Sequence, residues 1–155
     1  AQGLLAGINA VLAEREEATV HAQLATIGER LGRAFQIKDD ELGLFGSAEE
    51  IGKPVGSDVQ EDKKTIVRSL LFEKATEEEQ EELNGYFGNP EVGQKEIDRI
   101  REIAETHQIP GLIQRQVDEE NEGILIAINE LSVRPEGKRL LTELFEYNRE
   151  RSKCG

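Results

Sequence analysis

Apolar residues recur along this chain at separations of three, four and seven, the spacing of a helix face, in one block after another. The first block holds Leu4, Leu5, Ile8, Val11 and Leu12, and it starts with no capping residue before it. After the charged break Glu14-Arg-Glu-Glu17, the stripe Val20, Leu24, Ile27, Leu31, Phe35 and Leu42 predicts one long helix with a single buried face. Gly46, Gly52, Pro54 and Gly56 interrupt the pattern, so Phe45 to Asp58 is expected to be a loop. Ser47 and Glu50 have the spacing of a capping box and allow one turn at Ala48 to Ile51. Asp58 and Glu61 repeat that spacing and predict a helix from near Val59, with Ile66, Val67, Leu70 and Leu71 facing inward.

Thr76 and Glu79 mark a further helix start. The acids of Ala75-Thr-Glu-Glu-Glu-Gln-Glu-Glu82 then fall in its first turns, where they complement the positive end of the helix dipole better than they form a binding surface. Asn89-Pro90 offers a cap and a first-turn proline for a helix running to about His107. Another begins near Pro110 and carries the stripe Ile113, Val117, Ile124, Leu125, Ile128 and Leu131. The last begins near Pro135 and turns Leu140, Leu141, Leu144 and Phe145 inward. There is no internal repeat and no long linker, so residues 1–155 read as one all-α unit, or as part of a larger one.

Composition supports that reading and narrows the partners. A chain of 155 residues is long enough for one hydrophobic core, and 5% aromatics with no tryptophan favours helix over sheet. Thirty-two acids against nineteen basic residues give a net charge of -13, which repels nucleic acid and anionic lipid. The same field repels a diphosphate, so any site for one needs nearby lysines or bound metal cations. No apolar run reaches the about 18 residues of a membrane span, no basic-headed signal peptide opens the chain, and Cys154 stands alone. A cytoplasmic chain without a transmembrane span is the expectation. Methionine is absent throughout, which is consistent with a fragment or processed chain and equally with removal of an initiator.

Several residues are expected to be structural. His21 and His107 lack zinc-site spacing, and Tyr86-Phe87 reads as a hydrophobic anchor. Arg149, Arg151 and Lys153 read as a solvated final turn, and Cys154 as an inert tail residue.

The chemistry concentrates between Phe35 and Lys63. Gln36, Asp39, Asp40 and Gly43 lie three, four and seven residues apart on one predicted helix and share a broad face. Adjacent carboxylates are common on surfaces, but hard cations take oxygen ligands, and here lysines stand nearby. Lys53 sits in Gly52-Lys-Pro-Val-Gly-Ser-Asp58, and Lys63 and Lys64 follow at the next helix start. Magnesium held by aspartates, together with lysines from an adjacent loop, would neutralise the charge growing on a leaving diphosphate.

Leu31-Gly-Arg-Ala-Phe-Gln-Ile-Lys-Asp-Asp-Glu-Leu-Gly-Leu-Phe-Gly46, followed by Gly52-Lys-Pro-Val-Gly-Ser-Asp-Val-Gln-Glu-Asp-Lys-Lys-Thr65, resembles the second aspartate-rich region of the trans-type isoprenyl diphosphate synthases. The remaining residues resemble, less specifically, the helix leading into that region and the family's carboxyl-terminal helices. The resemblance implies the antiparallel helical isoprenoid synthase fold around a central cavity, with this chain as the carboxyl-terminal half. It implies head-to-tail elongation, in which an allylic diphosphate ionises, isopentenyl diphosphate attacks the allylic cation, and a proton leaves. It implies magnesium, or manganese in its place, held by Asp39 and Asp40 directly or through water. Lys53 and Lys63 would contact the allylic diphosphate, Phe35 and Gln36 would border the substrate cavity, and Asp39, Asp40 and Lys53 would carry the catalysis.

Gly43 stands where that motif's last acid usually stands, and nothing in the chain resembles the first aspartate-rich motif. A prenyltransferase fragment, inactive without an amino-terminal half or partner subunit, is therefore the leading reading. A noncatalytic or degenerate subunit that regulates an active synthase is the second, and a plain helical domain without a ligand is the third. Homo-oligomerisation is expected of either synthase-like chain.

Overall fold

A computed structural model of the protein describes residues 17–46 and 56–151. Among the described residues every regular element is helical: α1 (Glu17–Phe45), α2 (Ser57–Gln60), α3 (Ile66–Lys74), α4 (Glu77–Tyr86), α5 (Gln94–Thr106), α6 (Ile109–Asn129) and α7 (Pro135–Arg151). The stripe over residues 4–12, the turn at 48–51, Lys53, Lys153 and Cys154 lie outside the described residues. No described helix is long and apolar enough to cross a membrane. The chain divides into two compact units, residues 34–118 and the remainder on either side of them.

In the unit of residues 34–118, α5 and the start of α6 supply the centre of the core. Ile97, Ile100, Ile103, Ile109 and Ile113 are at most 1% exposed and pack with Leu44, Val59, Leu71 and Leu83. Removing each such side chain from water stabilises the fold by roughly 1.5–3 kcal/mol, which makes α5 the element on which the others settle. Thr76 caps α4 as its spacing predicts: its N–H donates to Glu79 Oε2 at 2.9 Å, and its hydroxyl accepts from Glu79 N at 3.3 Å. α4 and α5 run antiparallel, since Glu79 meets His107 at 2.6 Å while Glu82 meets Arg99 at 3.0 Å. His107 thus serves as a structural partner, and Tyr86 and Phe87 pack against the core.

Two predicted starts in this unit move. The helix expected to run on from near Val59 breaks after Gln60, because Asp62 adopts a left-handed φ of 50° that no regular helix tolerates. Thr65, not Asp58, is the side chain that caps the next helix, accepting from Arg68 N at 3.0 Å. Asn89-Pro90 forms a turn in which Asn89 Oδ1 accepts from Glu91 N at 2.9 Å. α5 begins four residues later at Gln94, where Glu96 reaches back to Gly93 N at 2.9 Å.

In the other unit, α1 and α6 run antiparallel: Gln23 donates to Glu130 O at 3.1 Å, and Arg30 pairs with Glu120 at 3.0 Å. Ile27, Ile124, Ile128, Leu131 and Phe145 form its core. The single buried face predicted for α1 does not persist. Val20 and Ile27 are buried, but Leu31, Phe35 and Leu42 are 39%, 73% and 38% exposed, and Ala34, Asp40 and Leu44 are buried in their place. In α7, Phe145 is buried as expected, whereas Leu140 and Leu144 are exposed at 57% and 39%. Helical spacing places these residues on a stripe, but packing partners decide whether the stripe is covered.

Candidate functional site

The end of α1 presents the site. Its last turn contains no basic residue of its own to meet the negative end of the helix dipole. Arg101 of α5 supplies that charge, donating from Nε to Leu44 O at 2.8 Å and from Nη2 to Gly46 O at 3.3 Å. One turn earlier, Asp40 is only 7% exposed and fully engaged. Its Oδ1 accepts from Gln36 Nε2 at 2.8 Å and Lys63 Nζ at 3.4 Å, and its Oδ2 accepts from Ile66 N at 3.3 Å.

The chain returns to this face through Gly56, whose φ of 90° is open to glycine and strained for other residues. A β-carbon there would also lie 2.6 Å from Ile97 Cδ1, so glycine is required by both backbone and packing. The break after α2 then turns Lys63 back on its own segment. Lys63 N donates to Asp58 O at 2.9 Å, and its ammonium lies 3.3 Å from Asp58 Oδ2. Asp62 stabilises the reversal by pairing with Lys64 and, at 2.6 Å, with Arg68. The Arg68 guanidinium in turn lies over the rings of Phe72 and Phe87 at 4.5 and 5.3 Å, which anchors the break to the core.

Two buried carboxylates, Asp40 and Asp58, therefore share the ammonium of Lys63. Burial alone would depress the lysine's pKa, but attraction to Asp58 and then to Asp40 outweighs it, and the value is raised. The ammonium stays charged at neutral pH. A small cleft opens here, lined by Asp40, Gly43, Asp58 and Thr65 above apolar Leu44 and Val67. Gly43 leaves room for Asp58: a β-carbon at position 43 would stand 2.8 Å from Asp58 Oδ2.

The donor chemistry suits a hard divalent cation. Magnesium is commonly held by one or two carboxylates with phosphate oxygens and water completing the shell, rather than by a closed protein cage. No group of three His, Cys, Asp or Glu converges among the described residues.

Of the residues singled out from sequence, Gln36, Asp40 and Lys63 come together directly. Asp39 precedes Asp40 on α1 but is exposed, and among the described residues Phe35 is the most exposed of the large apolar side chains at 73%. Lys53 lies outside the described residues. Lys64 turns to Asp62 and away from the carboxylate pair. Asp58 is not legible in the sequence as a partner of Asp40 and Lys63, because its spacing to Glu61 reads as a helix cap. The available signal was an acid five residues before Lys63 in a glycine-bearing loop.

The model of the polyprenyl synthetase family matches residues 3–104. A geranylgeranyl diphosphate synthase of Saccharolobus solfataricus is 40% identical over 87 residues, which is 56% of this chain and 26% of that protein. A short chain isoprenyl diphosphate synthase of Methanocaldococcus jannaschii is 40% identical over 97 residues, 63% of this chain and 29% of the relative. The crystal structure of geranylgeranyl pyrophosphate synthase from Corynebacterium glutamicum, complexed with isoprenyl diphosphate and magnesium, matches with a TM-score of 0.70 at 25% identity. That match covers 80% of this chain and 35% of the other. The chain spans little more than a quarter of the length of these curated relatives, which are 26% and 29% covered. With the family model matching well over half of its residues, the chain belongs to the polyprenyl synthetase family, the trans-type isoprenyl diphosphate synthases that its Asp39-Asp40 region resembles.

Proposed function

We propose that this chain supplies the second aspartate-rich side of a prenyltransferase active site, the carboxyl-terminal half of an enzyme that joins isopentenyl diphosphate to an allylic diphosphate. The observation that carries the reading is the pair of buried carboxylates, Asp40 and Asp58, joined by Lys63 beside the exposed Asp39. The Corynebacterium relative bound to isoprenyl diphosphate and magnesium supports the same ligand classes for this chain.

Asp39 and Asp40 would hold magnesium, or manganese in its place, with phosphate oxygens and water completing the shell. When bound, the ion supplies positive charge to the oxygens of a departing diphosphate. Gln36 fixes the direction of Asp40 through its 2.8 Å bond, so the carboxylate meets a cation already oriented. Lys63 and Lys53 bring ammonium groups to the diphosphate, offsetting the overall charge of -13 that would otherwise repel it. Phe35, exposed on α1, borders the apolar part of the substrate. Ionisation needs preorganised charge on both sides of the leaving group, so activity belongs to the intact parent or to a complex that restores the amino-terminal half.

Calorimetric titration of the chain with magnesium and an allylic diphosphate tests this reading. Binding that Asp40→Asn abolishes supports it, and absence of binding even in the full-length parent would end it. A second reading, a noncatalytic subunit that regulates an active synthase, draws on Gly43, which removes one acid from the motif. Diphosphate release with isopentenyl diphosphate, assayed after an amino-terminal complement is added, separates the two. Persistent inactivity of a folded complex that binds both ligands favours the noncatalytic subunit.

A further inference from the structure

Lys63 is shared between two anions that a divalent cation would also seek. Its ammonium lies 3.4 Å from Asp40 Oδ1 and 3.3 Å from Asp58 Oδ2, and these aspartates are only 7% and 8% exposed. A magnesium ion drawn to this carboxylate pair would stand beside the ammonium, and like charges a few ångströms apart in a partly buried site repel strongly. The other partners of Asp40 do not carry charge. Gln36 and Ile66 N bind Asp40 as neutral donors, and Lys64 is committed to Asp62. The Lys63 side chain is itself 40% exposed and carried on a flexible stem, so it has a path to solvent.

We propose that Lys63 is an exchangeable counter-ion. It fills the cation position between Asp40 and Asp58 while no metal is bound, and it is displaced toward diphosphate oxygens when metal enters. This rests on the metal and diphosphate reading above. It adds that the two ligands favour one another through a single side chain, because metal frees the ammonium that the diphosphate needs, and the diphosphate withdraws the ammonium that opposes the metal.

Calorimetry with Mg2+ alone, on the chain as it stands, tests the exchange. Lys63→Gln is expected to bind Mg2+ on the order of tenfold more tightly than wild type, within the usual range for coupled sites. Lys63→Arg, which keeps a cation, is expected to remain near the wild-type affinity. A second readout follows the lysine itself by mass spectrometry after brief labelling with an amine-reactive reagent, with Lys64 as the internal reference. Mg2+ is expected to raise labelling of Lys63 relative to Lys64, and inorganic diphosphate added with Mg2+ to lower it again. If Mg2+ binding is lost in Asp40→Asn but is not tightened by Lys63→Gln, or if the labelling ratio ignores Mg2+, the exchange is overturned while the metal site stands. If no variant binds Mg2+, either in the chain or in the full-length parent, or if Asp40→Asn leaves binding unchanged, both are overturned.

Discussion

Asp58 Oδ2 occupies the space beside Gly43, 2.8 Å from where a β-carbon at that position would stand. The motif position that lacks an acid on α1 is thus the position against which an acid from the following segment packs. The absent side chain at 43 and the buried carboxylate at 58 are two parts of one arrangement, since either a side chain or Asp58 in its present rotamer fits there, but not both.

Gly43→Ala should therefore lower stability by about 1–3 kcal/mol in urea unfolding, as overpacking of a closed site does. In an Asp58→Ala background the same substitution should cost at least about 1 kcal/mol less, a coupling in the range measured for contacting residues. Equal costs in the two backgrounds would show that Asp58 is not what Gly43 accommodates.

Gly56 should tolerate substitution least among the positions that bring the chain back to α1. A side chain there meets both the φ of 90° and Ile97 at 2.6 Å, and the sum of backbone strain and overpacking is about 2–5 kcal/mol. Ile97→Val removes the nearer methyl and should recover part of the loss in Gly56→Ala. Thermal or urea unfolding of the single and double variants measures both effects.

Arg101 should control the last turn of α1. Arg101→Ala removes the donors to Leu44 O and Gly46 O, and it should destabilise the protein by about 1–2 kcal/mol. Amide hydrogen exchange should accelerate first at Phe45 and Gly46, with Arg101→Lys restoring part of the protection. Exchange that rises uniformly over the whole unit would refute a local role.

Acid should weaken the joint between α4 and α5 in a specific way. Hydrogen bonding from Thr76 N, and then from His107, holds the Glu79 carboxyl below its ordinary value of 4.5. A carboxyl depressed in the folded state contributes stability that is complete above the unfolded value and lost as pH falls through the folded one. Glu79→Gln should therefore be less stable than wild type at neutral pH, with the gap closing below about pH 4. Urea midpoints followed from neutral to acid pH would show this convergence, and a gap that is constant with pH would exclude an ionised Glu79 as its source.

Much of the helical layout is legible in residue spacing, because capping and helix periodicity are local. Thr76 and Glu79 satisfy each other within one turn, and Ile113, Val117, Ile124, Ile128 and Leu131 are buried as their period predicts, with Leu125 partly covered. Spacing misleads where a distant contact intervenes. Asp58 and Glu61 have the separation of a cap, yet Asp58 is drawn to Lys63 and the helix breaks at Asp62. Leu31, Phe35 and Leu42 keep the period of a buried face, yet they remain exposed.

The order of residues by itself determined that this chain is helical and that Asp39, Asp40, Lys53 and Lys63 form a candidate constellation, since helix pitch and loop-forming residues act over a few positions. Only the tertiary structure decided that Asp40 is buried while Asp39 is exposed, that Asp58 stands against Gly43, and that Lys63 joins the two buried carboxylates. Those outcomes depend on a glycine turn, a chain reversal and an arginine from another helix arriving at one place. Packing of segments far apart in sequence sets such meetings, and no local period encodes them.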